Sequence, residues 1–146
     1  MAITSALDTL IDLAQRESDR RAKKLGAALK AVEDGEQKLQ MLNGYRDDYA
    51  RKLEAAQQAG ITPFAYQNFV AFLAKLETAV NGQKEVIKHA EFKAEMERKA
   101  WQESERKRLS YRTLTERAAA QALALDNKRD QKMMDDFAAR SARRSG

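Results

Sequence analysis

One proline constrains this chain more than any other residue. Pro63 is the only proline in 146 residues, and it stands in the segment Ala59-Gly60-Ile61-Thr62-Pro63. Gly60 can end a helix in the left-handed conformation, Thr62 can cap the next one through its hydroxyl, and Pro63 suits a first helical position, where no amide hydrogen is needed. Ile61 and Tyr66 flank that cap at the spacing of a hydrophobic staple. One helix stops and another starts here, with a turn at 58–62 built on Gly60, Thr62 and Pro63. So short a connection returns the chain antiparallel.

Both flanks of the turn read as long helices. The first is expected from about residue 5, where Ser5 and Asp8 stand at capping-box spacing, to about 57. The second is expected over about 63–140, followed by a basic tail at 141–146. On the first helix Ile3, Leu7, Leu10 and Ala14, then Leu25, Ala28, Val32, Leu39, Leu42, Tyr49 and Leu53 recur in steps of three and four. On the second, Phe69, Leu73, Leu76, Val80, Ile87, Ala90, Ala94, Trp101, Tyr111, Ala118, Ala122 and Leu125 do the same. Sustained three-four spacing is the signature of a coiled coil. The expected fold is therefore all-α: a single-domain, two-helix antiparallel coiled coil with an overhanging C-terminal helix.

The apolar stripe is imperfect. Gln15 to Lys24 is nearly all polar, and Gly35, Gln83, Glu97, Ser104 and Arg108 interrupt it. Gly26, Gly35, Gly44 and Gly82 lie inside the predicted helices, each at a cost of about 1 kcal/mol against alanine. Close helix approach and tolerated flexibility are both open explanations for them. Folding the chain about residue 60 levels Ile3 with Ala118, so the second helix has no internal partner from about Ala119 onward.

Composition removes several function classes. There is no cysteine, which excludes disulfides, cysteine-ligated zinc and thiol catalysis. No stretch approaches the roughly 20 apolar residues that span a bilayer, and the first residues lack a basic segment followed by an apolar one. A cytoplasmic location is expected. The 27 basic and 22 acidic residues are interleaved, as on a solvated helix face. Arg106-Lys107-Arg108 and Arg140, Arg143 and Arg144 come nearest to the basic stripe that nucleic acid needs. A basic nucleic-acid-binding coiled coil and a homodimeric tether therefore stand as competing readings. His89 is the only histidine, the serines and threonines lack a base, and no glycine-rich phosphate loop is present. Neither catalysis nor a cofactor, metal or small-molecule ligand is expected.

Apolar surface is in excess near the hairpin. Leu42, Tyr45 and Tyr49 run down the first helix beside Met41, and Phe72, Leu76 and Ala79 run down the second beside Phe69 and Leu73. The fold about residue 60 levels Leu42 with Ala79, Tyr45 with Leu76 and Tyr49 with Phe72. Together the two stripes are wider than one seam covers. They form either a protein-binding patch or a thickened core beside the turn.

These residues, in this order and at these separations, resemble the flagellar export FliJ family over nearly the whole chain. The resemblance is carried by Leu7-Asp8-Thr9-Leu10-Ile11-Asp12-Leu13-Ala14, by Leu39-Gln40-Met41-Leu42 with Tyr45 and Tyr49, and by Ala59-Gly60-Ile61-Thr62. Asn68-Phe69, Phe72, Leu76-Glu77, Ala79-Val80 and the closing Asp130 to Arg140 continue it. It implies a stalk-like coiled coil of the flagellar type III export ATPase complex, similar to the γ stalk of rotary ATPases. One end would enter the hexameric ring of the export ATPase FliI and promote its assembly. The other part would dock on the cytoplasmic domain of the export gate protein FlhA, and export chaperones such as FliT would be further partners. In the family, the gate-binding surface falls on positions matching Leu42, Tyr45, Tyr49, Phe72, Leu76 and Ala79.

The overhang, with Leu125, Met133 and Phe137 beside Arg129, Lys132 and Arg140, is expected to contribute the ATPase contact. The protein itself is expected to be monomeric alone, without nucleic acid or small-molecule partners. It would be peripheral at the cytoplasmic face of the inner membrane, needed for flagellum assembly and motility. Lys38 stands where relatives often carry glutamine and Gln83 where some carry histidine, so the rim of the patch is expected to differ in its chemistry from theirs.

Overall fold

The computed structural model describes the backbone of residues 2–145 and the side chains of residues 5–145. Ile3, placed on the seam by its spacing, has its side chain outside the described residues. Two helices account for nearly all of the described chain: α1 (Ala2–Ala59) and α2 (Pro63–Ser145), with no strand among the described residues. The fold is all-α, an antiparallel pair of helices joined by a tight turn.

The turn is built by local chemistry. Gly60 takes φ +94°, a conformation that costs a residue with a Cβ, and its amide donates to the Gln57 carbonyl at 3.3 Å. Thr62 caps α2: its hydroxyl accepts from the Ala65 amide at 3.2 Å, and its carbonyl accepts from the Tyr66 amide at 2.9 Å. Pro63 is the first helical residue. Ser5 sits inside α1 rather than at its start, and its carbonyl accepts from the Thr9 hydroxyl at 3.0 Å. At the other end α2 continues to Ser145, past the expected stop near 140. Nothing in 141–145 breaks a helix, and Arg143 and Arg144 lie in the last turn, where cations offset the helix dipole.

Contacts divide the paired helices into two units, Asp19–Gln102 and a second that joins Met1–Ser18 to Glu103–Gly146. In the Asp19–Gln102 unit, α1 turns Leu25, Ala28, Val32, Gly35, Leu39, Leu42, Arg46, Tyr49 and Leu53 toward α2, in strict alternation of three and four. The facing residues are Phe69, Leu73, Leu76, Val80, Gln83, Ile87, Ala90, Ala94 and Glu97. Val80 is fully buried, and Ala28, Ile87 and Ala94 are buried further along the same seam.

Gly35 and Gln83, expected to interrupt this seam, are part of it. Both are buried, and the Gln83 Nε2 donates to the Gly35 carbonyl at 3.0 Å. A Cβ on Gly35 would stand 3.1 Å from Ile87 Cγ1, so this glycine marks close approach of the helices. Gly26, Gly44 and Gly82 have nothing within 4 Å of where a Cβ would be. Replacing any of these three by alanine should raise the unfolding free energy by about 1 kcal/mol in urea titration. Gly35→Ala should gain less than that, because Ile87 must shift, and Gly60→Ala should destabilise.

In the second unit, Leu7, Ile11, Ala14 and Ser18 face Ser104, Arg108, Tyr111 and Thr115. Leu10, expected on the seam, is exposed, and Ile11 takes its place. The phase here is set by Ala14 and Ser18, both buried, and a polar Ser18 goes unnoticed when only apolar residues are counted. Ser18 donates through its hydroxyl to Glu105, which also accepts from Arg108 at 2.8 Å. The Arg108 guanidinium, with the Ser18 hydroxyl second, holds the Glu105 carboxyl below its ordinary value. Beyond Thr115 every described side chain to Ser145 is exposed, including Ala118, Ala122 and Leu125, which spacing had put on the seam. They keep the heptad phase of the seam, but no described side chain of α1 covers them.

Candidate docking site

The Asp19–Gln102 unit carries its largest aromatic cluster close to the turn. Leu42, Arg46 and Tyr49 follow one another at seam spacing on α1, so Tyr45, one residue off the seam, sits on its flank. Phe72 takes the corresponding flank position on α2, one residue before the seam residue Leu73. The antiparallel turn brings these flanks together. The Tyr49 and Phe72 ring centroids are 4.4 Å apart at an interplanar angle of 47°, and those of Tyr49 and Phe69 are 5.0 Å apart at 44°. Such tilted ring pairs add about 0.5–1.5 kcal/mol beyond the area they bury.

An open groove of about 380 Å³ results, lined by Tyr45, Asp48, Tyr49, Lys52, Phe72 and Leu76. Tyr49 and Leu76 are half-buried and form its floor, while Tyr45 is 55% exposed and Phe72 44% exposed at its walls. The structure therefore brings together four of the six residues singled out from spacing: Tyr45, Tyr49, Phe72 and Leu76. Leu42 is half-buried and Ala79 exposed, and neither lines the groove. Met41 is exposed beside it. The sequence reading missed Asp48 and Lys52 at the rim. Both lie at flank positions seven residues from Met41 and Tyr45, a repeat that the count of apolar residues passes over. Asp48 pairs with Arg51, and Arg46 pairs with Glu77 of α2 at 3.3 Å, which ties the two helices together beside the cluster.

Leu125, Arg129, Lys132, Met133, Phe137 and Arg140 are distributed along exposed helix. Phe137 is 73% exposed, and Leu123 and Met134, which the sequence reading did not include, are also exposed apolar side chains in this stretch. No cluster of metal-ligating side chains occurs among the described residues, and His89 is exposed. No helix among the described residues is long and apolar enough to cross a membrane.

Two long antiparallel helices, paired by a three-four seam, make a coiled-coil protein. Its family is given by comparison with known proteins. The model of the family described as "Flagellar FliJ protein" matches residues 4–146. The flagellar FliJ protein of Escherichia coli (strain K12) is 34% identical over 144 residues, covering 99% of this chain and 98% of that one. The flagellar FliJ protein of Salmonella typhi is likewise 34% identical over 144 residues, with the same coverage. Among solved structures, a Chlamydia trachomatis protein described as a putative YscO homologue aligns with 94% of this chain and 89% of its own, at a TM-score of 0.48 and 17% identity. The chain belongs to the flagellar FliJ family. It is thereby a flagellar type III export component, concerned with flagellum biogenesis and motility.

Proposed function

We propose that the chain is a non-enzymatic stalk of the flagellar export apparatus that docks through its aromatic groove on the cytoplasmic domain of the export gate protein FlhA. The observation that carries this reading is the groove itself. Tyr45, Tyr49, Phe72 and Leu76 converge from two helices onto one open, mainly apolar surface beside the turn. Aromatic side chains held by their neighbours lose little entropy on binding and are enriched at the energetic centres of interfaces. Leu42 and Ala79 flank the groove and would extend the contact.

The exposed stretch of α2 beyond Thr115 supplies a second docking element, for the hexameric ring of the export ATPase FliI. Leu125, Met133 and Phe137 would provide apolar contact, and Arg129, Lys132 and Arg140 polar contact. Helical surface of this kind, without an internal partner, gains most of its stability by binding. Export chaperones such as FliT are further partners under this reading. The chain is monomeric alone and is held at the cytoplasmic face of the inner membrane by the apparatus rather than by a span of its own. Isolation of the full chain from flagellated cells tests the reading: the ATPase and the gate protein should co-purify with it. Recovery of neither, from cells that are exporting, would overturn it.

A further inference from the structure

We propose that the docking surface does not end at the aromatic cluster but continues along one cationic flank of the Asp19–Gln102 unit, where it receives an acidic amphipathic helix of the partner. This rests on the reading of the aromatic groove as a docking site and extends it.

Residues seven apart in a coiled coil share one position relative to the partner helix. The positions just before the seam residues Leu25, Val32, Leu39, Arg46 and Leu53 are Lys24, Ala31, Lys38, Tyr45 and Lys52. On α2 the equivalent positions are Phe72, Ala79, Val86 and Lys93. In an antiparallel pair these two rows line the same flank. The aromatic groove is one stretch of it. A second open groove, of about 280 Å³, is another: Lys24, Ala27, Ala28, Ala31, Ala90, Lys93 and Glu97 line it. Lys24 and Lys52 are 28 positions apart, so the flank runs for roughly 40 Å at the helical rise, the length of a seven- to eight-turn helix.

Charge distinguishes this flank from the other. Its rows hold Lys24, Lys38, Lys52 and Lys93 and no carboxylate, and none of these lysines forms an ion pair among the described residues. The opposite flank, one residue after the seam, carries Glu36, Glu77 and Glu91 against Lys84 and Arg98. The groove side also carries two carboxylates, Asp48, which Arg51 holds, and Glu97, and against them it keeps four lysines without ion pairs. The alanine floor lets a helix backbone approach closely, and the alternation of lysine with apolar side chains matches a helix whose apolar stripe is bordered by glutamates or aspartates. A nucleic acid would meet an apolar floor here, which is why the protein helix is favoured. Within the groove Glu97 Oε2 is buried without a hydrogen-bond partner, so the occupant should also bring a donor.

The test titrates the gate protein's cytoplasmic domain against the full chain at low and at physiological salt. Lys24→Glu with Lys93→Glu should weaken binding at least tenfold at low salt and remove most of its salt dependence. Lys24→Gln with Lys93→Gln should lie between that variant and the native chain. Phe72→Ala should weaken binding at both salt concentrations and keep the salt dependence. The four lysines are exposed, so circular dichroism should be unchanged in the charge variants. If the lysine variants bind as the native chain does while Phe72→Ala fails, the extended flank is wrong and the aromatic site stands. If no variant changes binding, or the native chain does not bind, the aromatic site falls as well. Tighter binding by the glutamate variant, or retention of the native chain on duplex DNA at physiological salt that this variant loses, would also overturn the acidic-helix partner.

Discussion

Phe72→Ala combined with Leu76→Ala should lower affinity for the cytoplasmic domain of the export gate by about 100-fold, if each truncation removes ~1.4 kcal/mol of contact. The two side chains reach the groove in different ways. Phe72 is 44% exposed and lies against the Tyr49 ring at 4.4 Å, so it presents a face that is held in place before any partner arrives. Leu76 is half-buried in the floor, where it also packs in the seam. Some loss of stability is therefore expected from Leu76→Ala, and the melting temperature must be measured on the same variant. Phe72→Ala alone should keep most of the native stability and lose about tenfold in affinity. A fall in binding that tracks melting across the three variants would make these residues core rather than docking site. Unchanged binding in a well-folded double variant would remove them from the gate contact.

Deleting residues 121–146 should abolish stimulation of the export ATPase while leaving gate binding intact. The expected separation follows from where the contacts are. Every described side chain after Thr115 is exposed, so removing 121–145 takes away no buried packing, and the unfolding midpoint of the remaining chain should change little. What the deletion removes is the exposed apolar set Leu125, Met133 and Phe137 together with Arg129, Lys132 and Arg140. A narrower variant, Met133→Ser with Phe137→Ser, should weaken ATPase binding by about 1,000-fold without shortening the helix, because each large apolar side chain buried at an interface is worth about 2 kcal/mol and ~1.4 kcal/mol is tenfold. Undiminished stimulation by the truncated chain would place the ATPase contact elsewhere.

The turn was legible because helix ends are governed by local chemistry. Gly60, Thr62 and Pro63 each make their contribution within a few residues, and the structure has Gly60 at positive φ, Thr62 as cap and Pro63 as first helical residue. With the turn fixed, the pairing followed: Tyr49 was levelled with Phe72 by counting from residue 60, and their rings are in contact. Three-four spacing of apolar residues likewise located most of the seam.

Tertiary structure decided what polar residues do inside that seam. Spacing read from apolar residues alone treats Gly35, Gln83 and Ser18 as gaps, yet all three are buried, because the helices supply partners: a backbone carbonyl for Gln83 and a carboxylate for Ser18. A polar group can occupy a core position once its hydrogen bonds are met, and no single helix reveals whether the facing one will meet them. The choice between Leu10 and Ile11 depended on the same information, since the phase there is carried by Ser18. The limits of the groove were decided in the same way. Leu42 and Ala79 share the stripe with Tyr45 and Phe72, but the pairing of the two helices draws Asp48 and Lys52 into the lining instead. Sequence alone determined the helices, their reversal and their register. Which side chains face across the register, and which of those stay open to a partner, was decided by the second helix.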